Sequence, residues 1–176
     1  MPTCLYLGGA RSGKSRLAQT RAEAHSAVTV IVTAEALDGE MAQRIRHHQT
    51  QRPQHWQVLE APLQLGAALL SCQARNEPPL VLVDCLTLWL SNLLCLEDDK
   101  RYQLERTNFL QAVTKQRSPL LLVSNEVGLG LIAPTPLGRL FVDEAGRLHQ
   151  ELAGLCDEVI WVAAGLPLWL KPCRGE

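Results

Sequence analysis

Hydrophobic and polar positions along the chain form two kinds of segment that alternate. Short apolar runs of β type lie near residues 3–7, 28–33, 57–60, 79–84, 119–124, 158–163 and 166–170. Stretches with the spacing of amphipathic helices lie near residues 14–25, 38–51, 62–74, 86–95, 103–116 and 137–155. The pattern therefore predicts that strands and helices alternate over the whole chain.

The central apolar runs carry no polar residue at alternate positions. Leu80 to Val83 and Leu120 to Val123 are apolar throughout, which is typical of strands that are covered on both faces. Strand–helix alternation with such strands predicts a mainly parallel central sheet flanked by helices. The expected fold class is α/β, with three layers arranged as in P-loop NTPases.

Two polar stretches interrupt the pattern. Residues 96–101, the most polar stretch, are predicted to form an exposed loop, and residues 133–137 a second loop that leads into the last helix. Neither stretch has the character of a domain boundary, so residues 1–176 are expected to form one domain that binds nucleotide and carries the chemistry.

Composition and charge limit the partners and the cellular compartment that can be expected. The net charge of −1 provides no general basic field for nucleic acid, so no nucleic-acid partner is expected. No apolar run has the roughly 20 residues of a membrane helix, and the first residues lack the pattern of a signal peptide. The six cysteines show no C-x-x-C spacing, which favours reduced thiols and a cytoplasmic protein.

The sequence GGARSGKS follows the first predicted strand and precedes the first predicted helix. This context and the spacing match a phosphate-binding P-loop. In such a loop glycines let backbone N–H groups point at one anion, the lysine reaches the outer phosphates, and the serine hydroxyl is a ligand of Mg²⁺. The loop consists of Gly8, Gly9, Ala10, Arg11, Ser12, Gly13, Lys14 and Ser15.

A P-loop indicates a nucleotide without indicating a reaction. The chain has no N-K-x-D segment of the kind that recognises guanine in GTPase switches. A short single domain favours a small-molecule kinase or a nucleotidyltransferase. Two alternatives stay open on the residues alone: a kinase with one direct in-line transfer, and a non-catalytic regulator that binds nucleotide.

Polar residues follow several predicted strands, where ligands of parallel sheets collect. Asp84 ends one buried run and is a candidate Mg²⁺ ligand, and Glu126 follows the next buried run and competes for that role. Glu60 and Thr33 end two further strands.

Two adjacent histidines lie in the predicted helix 38–51. At about 100° per residue, His48 falls on the apolar side, whereas His47 projects from the polar side with Glu40 and Arg44. An accessible imidazole beside an arginine is suited to attack a phosphate and form a covalent P–N intermediate. The remaining histidines, His25, His55 and His149, show no supporting partners in the pattern.

Several ordered motifs together resemble one known family. The P-loop is followed by D-x-E-M-x-x-R-I-x-H-H from residue 38, R-P-x-H-W from 52, D-C-L-T-L-W-x-x-N-L from 84 and N-E-V-G-x-G from 125. Then come R-x-x-x-D-x-x-G-x-x-x-Q from residue 139, A-A-G-L-P from 163, and Lys171. This combination resembles the bifunctional adenosylcobinamide kinase / adenosylcobinamide-phosphate guanylyltransferase of cobalamin biosynthesis.

The resemblance implies two successive reactions. First, the aminopropanol hydroxyl of adenosylcobinamide receives the γ-phosphoryl group of ATP or GTP, with the preference between the two left open. Next, GTP transfers GMP to adenosylcobinamide phosphate through a guanylylated histidine, which in the family pattern is the first of the pair, here His47. Family members also assemble as trimers.

The resemblance further implies which residues bind and react. His47 and Lys14 would be catalytic, Mg²⁺ would be held by Ser15 and Asp84, and GTP and ATP would be substrates. The family often has glutamate at the position of Asp84. The metal contact of Asp84 is therefore expected from its place at the end of a strand, and the family pattern does not imply it directly. Nucleotide contacts beyond the P-loop would come from Thr33, Ala34, Glu35, Thr50, Gln51, Arg52, Pro53, Glu60 and Asp84.

Overall fold

A seven-stranded sheet runs through the part of the chain that the computed structural model describes, residues 2–34 and 53–172. The predicted helix 38–51, with both of its histidines, lies outside the described residues. The other predicted elements are present, so the alternation of strands and helices is confirmed along the described part of the chain.

The elements are as follows. The strands are β1 Thr3–Gly8, β2 Val28–Val32, β3 Gln57–Glu60, β4 Leu80–Asp84, β5 Leu120–Asn125, β6 Glu158–Ala163 and β7 Leu166–Lys171. The helices are α1 Lys14–Ala22, α2 Leu65–Gln73, α3 Leu86–Leu94, α4 Asp99–Thr114 and α5 Pro136–Leu155. Among these helices, none combines the length and the apolar character required to cross a membrane.

The strands lie in the order β3-β2-β4-β5-β1-β6-β7. Every neighbouring pair is parallel except β6 and β7, which form an antiparallel hairpin at one end of the sheet. Because β5 pairs with both β1 and β4, it separates the strand before the phosphate loop from the strand that ends in Asp84. The mainly parallel sheet that the sequence predicts is confirmed.

Both faces of the sheet are covered, as the unbroken apolar runs predict. Helices α2, α3, α4 and α5 pack on one face, where Trp89 and Phe109 are fully buried and their rings lie 4.9 Å apart. On the other face α1 packs through Ala18 and Ala22 against Tyr6 and its neighbours. This arrangement gives the predicted three layers, and it places the carboxyl ends of all six parallel strands at one edge.

The polar stretch at residues 96–101 is not the simple loop that its composition predicts. Helix α4 already begins at Asp99, four residues before the predicted start. The side chain of Asp98 accepts a hydrogen bond from the backbone N–H of Arg101, which makes Asp98 the N-cap of the helix. The prediction was wrong because an exposed first helical turn is as polar as a loop.

A charged pair fixes helix α1 to the sheet. The guanidinium of Arg21 donates two hydrogen bonds of 2.7 Å to the carboxylate of Glu158 at the start of β6. Glu158 is buried, and the pairing raises the pKa of Arg21 above its ordinary value. The pair therefore holds the helix that follows the phosphate loop against the strand next to β1.

Gly66 is a position at which the packing of two helices can be tested. A Cβ atom there would lie 2.6 Å from the backbone carbonyl carbon of Asn108, so α2 and α4 would have to separate. Gly66→Ala should lower the free energy of unfolding by about 1–3 kcal/mol, measured by chemical denaturation. Gly146→Ala is the control, because its Cβ would meet nothing within 4 Å and helix propensity should raise stability by up to about 1 kcal/mol. Equal stability of the two variants would contradict the close helix contact.

Candidate functional site

The phosphate loop connects β1 to α1 and requires glycine at two positions. A Cβ atom on Gly8 would lie 2.3 Å from the carbonyl oxygen of Val162 in β6. Gly13 has φ 98°, and its Cβ would come within 3.1 Å of the Cα of Gly165. Both close approaches fix the loop against the β6–β7 hairpin, and no other residue type fits without moving backbone.

The loop presents unpaired polar groups to its own interior. Gly13 is the N-cap residue of α1, and no side chain caps the helix at this position. The hydroxyl of Ser12 is buried and has no hydrogen-bond partner among the described residues. Such a cradle of N–H and O–H donors at a helix N-terminus fits a phosphate group.

Lys14 lies in this cradle and contributes its positive charge. Its Nζ donates a hydrogen bond of 3.0 Å to the carbonyl oxygen of Gly9. Burial lowers the pKa of Lys14, while the negative charges of nearby groups such as Asp84 act in the opposite direction. An ammonium group held by a single carbonyl can turn to a phosphate oxygen, which is a stronger acceptor.

The tip of the β6–β7 hairpin forms one wall of the loop. Ala164 and Gly165 both have positive φ, and the backbone N–H of Gly165 donates to the carbonyl oxygen of Ser12 at 2.8 Å. The side chain of Arg16 approaches Gly165 and is exposed. The A-A-G-L-P segment that the sequence singled out is therefore structural support for the phosphate loop.

Ser15 and Asp84 meet at the carboxyl edge of the sheet. The hydroxyl of Ser15 donates to Oδ1 of Asp84 across 3.4 Å. Adjacent oxygen ligands of one Mg²⁺ ion lie about 3.0 Å apart, given metal–oxygen distances of about 2.1 Å in octahedral geometry. The two oxygens thus fit neighbouring positions around one small cation. No three His, Cys, Asp or Glu side chains of residues 2–34 and 53–172 form a metal cluster, so further ligands would be phosphate and water.

Glu126 follows β5, between the phosphate loop and Asp84. Its backbone N–H donates to the carbonyl oxygen of Gly8 at 3.0 Å, and its Oε1 accepts from the N–H of Gly128 at 2.6 Å. The prediction that His149 lacks partners was wrong. Its Nε2 lies 2.8 Å from the hydroxyl of Ser124, and its Nδ1 lies 3.6 Å from Oε2 of Glu126.

Thr33 and Ala34 lie beside Asp84 at the end of β2. The Thr33 hydroxyl is fully buried, donates to the carbonyl oxygen of Cys85 at 2.6 Å and accepts from its N–H at 3.1 Å. Asn92 also donates to the Thr33 carbonyl oxygen at 2.8 Å. The Thr33 side chain therefore fixes the backbone next to Asp84, and the nucleotide contact predicted for it would come from the backbone.

Glu60 lies at a distance from these groups. It ends the edge strand β3, four strand positions from β1, which corresponds to about 19 Å at 4.8 Å per strand. It lines a cavity of about 410 Å³ that is also bordered by the rest of residues 59–64 and by Ala67, Ala68, Ser71 and Arg101. Pro53 precedes β3, and its carbonyl oxygen accepts from the N–H of Trp56. The structure does not bring Glu60 to the phosphate loop, and the nucleotide contacts of Glu60 and Pro53 stay predictions.

The other predicted binding and catalytic residues lie outside the described residues. They are Glu35, His47, Thr50, Gln51 and Arg52. Their roles stay predictions.

Two supporting residues on α3 were missed by the sequence analysis. Thr87 accepts a hydrogen bond from the N–H of Asn125 at 2.8 Å, and Asn92 donates to the carbonyl oxygens of Thr33 and Pro62. Both interrupt the long apolar run 80–96, and that polar interruption is the signal that could have revealed them.

Comparison with known proteins gives one family along nearly the whole chain. A family model described as cobinamide kinase / cobinamide phosphate guanyltransferase matches residues 4–170. The bifunctional adenosylcobalamin biosynthesis protein CobP of Pseudomonas aeruginosa is 50% identical over 173 residues, which cover 98% of this chain and 97% of that protein. The bifunctional adenosylcobalamin biosynthesis protein CobU of Escherichia coli is 37% identical over 180 residues, which cover 95% of this chain and 98% of that protein.

Solved structures that resemble the chain include an ATPase and a recombinase. The ATPase EscN of the type III secretion system of enteropathogenic E. coli superposes with a TM-score of 0.57 at 10% identity, covering 93% of this chain and 43% of that chain. The RadB recombinase gives a TM-score of 0.51 at 14% identity, covering 91% of this chain and 73% of that chain. At this identity the likeness concerns the fold, which is that of P-loop NTPases.

Lys14 provides the direct test of the phosphate loop. Lys14→Ala should weaken binding of a nucleoside triphosphate by about 10- to 100-fold, because a hydrogen bond to a charged group contributes about 1.5–3 kcal/mol. Isothermal titration calorimetry with GTP and with ATP measures the change. Lys115→Ala is the matched control, since Lys115 is exposed at the end of α4, near the opposite edge of the sheet. Equal nucleotide affinity of the two variants would show that Lys14 does not bind the nucleotide.

Proposed function

The chain belongs to the cobinamide kinase / cobinamide phosphate guanyltransferase family, and we propose that it catalyses both reactions. The first is phosphorylation of the aminopropanol hydroxyl of adenosylcobinamide by ATP or GTP. The second is transfer of GMP from GTP to adenosylcobinamide phosphate, which yields GDP-adenosylcobinamide and pyrophosphate. The observation that carries the proposal is a P-loop whose Ser15 meets Asp84, in a chain that matches this family over residues 4–170.

In the kinase reaction the described residues bind and orient the triphosphate. The loop N–H groups and Lys14 would hold the outer phosphates, and their charge offsets the charge that spreads over the γ-phosphoryl oxygens during transfer. Mg²⁺, held by Ser15 and Asp84, would supply further neutralisation when bound. We assign the metal to Asp84 rather than Glu126 because Asp84 is paired with Ser15, whereas Oε1 of Glu126 accepts from Gly128.

For the guanylyl transfer we propose His47 as the nucleophile. The neutral imidazole attacks the α-phosphorus of GTP, a P–N bond forms, and pyrophosphate leaves. The phosphate of adenosylcobinamide phosphate then displaces the histidine. Support comes from the anchoring of Thr33 to Cys85 and Asn92, which fixes the backbone beside Asp84 just before the segment that contains His47.

The covalent intermediate can be tested by labelling. GTP radiolabelled at the α-phosphate should label the protein covalently with Mg²⁺ present, and the label should be acid-labile and alkali-stable, as expected of a P–N bond. His47→Ala should abolish labelling, whereas His48→Ala should keep it, because the predicted helix places His48 on the apolar face. GTP labelled at the γ-phosphate serves as the control and should leave no label.

Label that persists in His47→Ala would assign the nucleophile to another residue. A protein that phosphorylates adenosylcobinamide but never takes up label would instead support the alternative, a kinase with one direct in-line transfer.

We further propose a cytoplasmic homo-oligomer, in line with the trimers of the family it resembles. Strand β7 is the last strand of the sheet, and its side chains Leu166, Leu168, Trp169 and Leu170 are each more than half exposed. A row of exposed large apolar side chains on an unpaired strand edge favours a protein partner. A second copy of the chain is the partner that the family resemblance implies.

Leu168→Lys should therefore reduce the molar mass measured by sedimentation equilibrium. Burying a lysine in an apolar contact costs more than the leucine contributed, so the oligomer should dissociate at micromolar concentration. Leu70→Lys is the control, because Leu70 is similarly exposed on α2, toward the opposite end of the sheet. A wild-type protein that sediments as a monomer would reject the oligomer.

A further inference from the structure

Three polar side chains form a connected cluster behind the phosphate loop that no step of the proposed mechanism uses. They are Ser124 at the end of β5, Glu126 just after it, and His149 on α5. Ser124 and His149 are buried, whereas the Glu126 side chain keeps 21% of its surface exposed. The cluster therefore has an exposed end, and that end is the carboxylate.

The position of Glu126 follows from the strand order. Because β5 lies between β1 and β4, the residues after β5 emerge between the phosphate loop and Asp84. The hydrogen bond from the Glu126 N–H to the Gly8 carbonyl fixes the backbone of Glu126 to the first residue of the loop. Glu126 therefore lies between the loop that would hold the triphosphate and the carboxylate that would hold its metal.

His149 faces the Glu126 carboxylate with its ring nitrogen Nδ1. The hydroxyl of Ser124 is 2.8 Å from Nε2, and a serine that donates there leaves the proton of the neutral ring on Nδ1. Nδ1 is buried, has no hydrogen-bond partner within the part of the chain that the structure describes, and lies 3.6 Å from Oε2 of Glu126. Burial lowers the pKa of His149, while the nearby Glu126 carboxylate acts in the opposite direction.

A buried polar nitrogen without a partner destabilises the fold, and an apolar residue like its buried helix neighbours Ala145, Leu148 and Leu152 would avoid that cost. Catalytic hydrogen bonds are often long without substrate and shorten in the complex. The separation of 3.6 Å closes to a hydrogen bond with a small shift of the carboxylate. The unpaired nitrogen and the short movement it needs both indicate that His149 forms a hydrogen bond to Glu126 when substrate binds.

We propose that Glu126 is the proton acceptor of the kinase reaction and that His149 is its positioning residue. The O–H bond of the acceptor alcohol breaks, and its proton passes to Oε2 of Glu126. The alcohol oxygen bonds to the γ-phosphorus, the bond from that phosphorus to the bridging oxygen breaks, and a nucleoside diphosphate leaves. The carboxylic acid then returns the proton to solvent. The assignment rests on the proposed kinase activity and adds two residues to it.

The experiment compares matched variants in steady-state phosphorylation of adenosylcobinamide. Glu126→Gln should lower kcat by about 100-fold or more, the size of a lost general base, with the calorimetric Kd for ATP within about threefold of wild type. His149→Asn places an N–H donor where Nδ1 was, whereas His149→Gln places it where Nε2 was. We expect His149→Gln to lower kcat about tenfold at unchanged KM, and His149→Asn to recover most of that loss.

The matched histidine variants separate positioning from folding. A merely structural histidine would lower the melting temperature in both variants and leave kcat at the wild-type value. That outcome, or wild-type kcat in Glu126→Gln, would overturn the roles of Glu126 and His149 and leave the proposed kinase activity standing. Absence of turnover in the wild-type protein would overturn the proposed kinase activity and this assignment with it.

Discussion

Close backbone contact between the phosphate loop and the β6–β7 hairpin is the constraint on which the site depends. Gly8 leaves room for the carbonyl oxygen of Val162, and Gly13 lies against Gly165 with space for no side chain. The hydrogen bond from Gly165 to Ser12 completes the contact. The loop is thus held by a turn more than 150 residues away in sequence, and the Arg21–Glu158 pair holds the helix that follows it to the same hairpin. A phosphate cradle fixed in this way needs little rearrangement when the nucleotide binds, which favours positioning as its main contribution to catalysis.

The insertion of β5 between β1 and β4 determines what else reaches the nucleotide. It separates the phosphate loop from Asp84 by one strand, and the Ser15 hydroxyl at the start of α1 spans that gap. It also brings Asn125 and Glu126 into the space between them. Helix α3 locks this arrangement, because Thr87 accepts from the N–H of Asn125 and Asn92 holds Thr33. The polar residues of α3 therefore tie the ends of three strands together, which explains their place in an otherwise apolar helix.

The sequence was sufficient for most of the fold and for the core of the site. Unbroken apolar runs identified the buried strands, and glycine spacing after a strand identified the phosphate loop, because both depend on local sequence. The predicted start of α4 was wrong because aspartates such as Asp98 and Asp99 are common both in loops and in first helical turns. The strand order, the antiparallel β7 and the partners of His149 depend on contacts between distant residues. No local pattern encodes those contacts. The one local sign of the partners of His149 was a histidine among the apolar positions of its helix.

Exposure decides how the Ser124, His149 and Glu126 cluster can act. The same three residue types, placed in the same order, form the nucleophile, base and orienting acid of many hydrolases. There the serine is the accessible end. Here the exposed fraction is 1% for Ser124 and 7% for His149, and 21% for the side chain of Glu126. A serine that no substrate reaches is not a nucleophile, so the histidine's effect is exerted on the carboxylate. In the proposed role the order of action is therefore reversed: the hydroxyl sets the tautomer, the ring orients the acid, and the acid is the exposed end of the cluster.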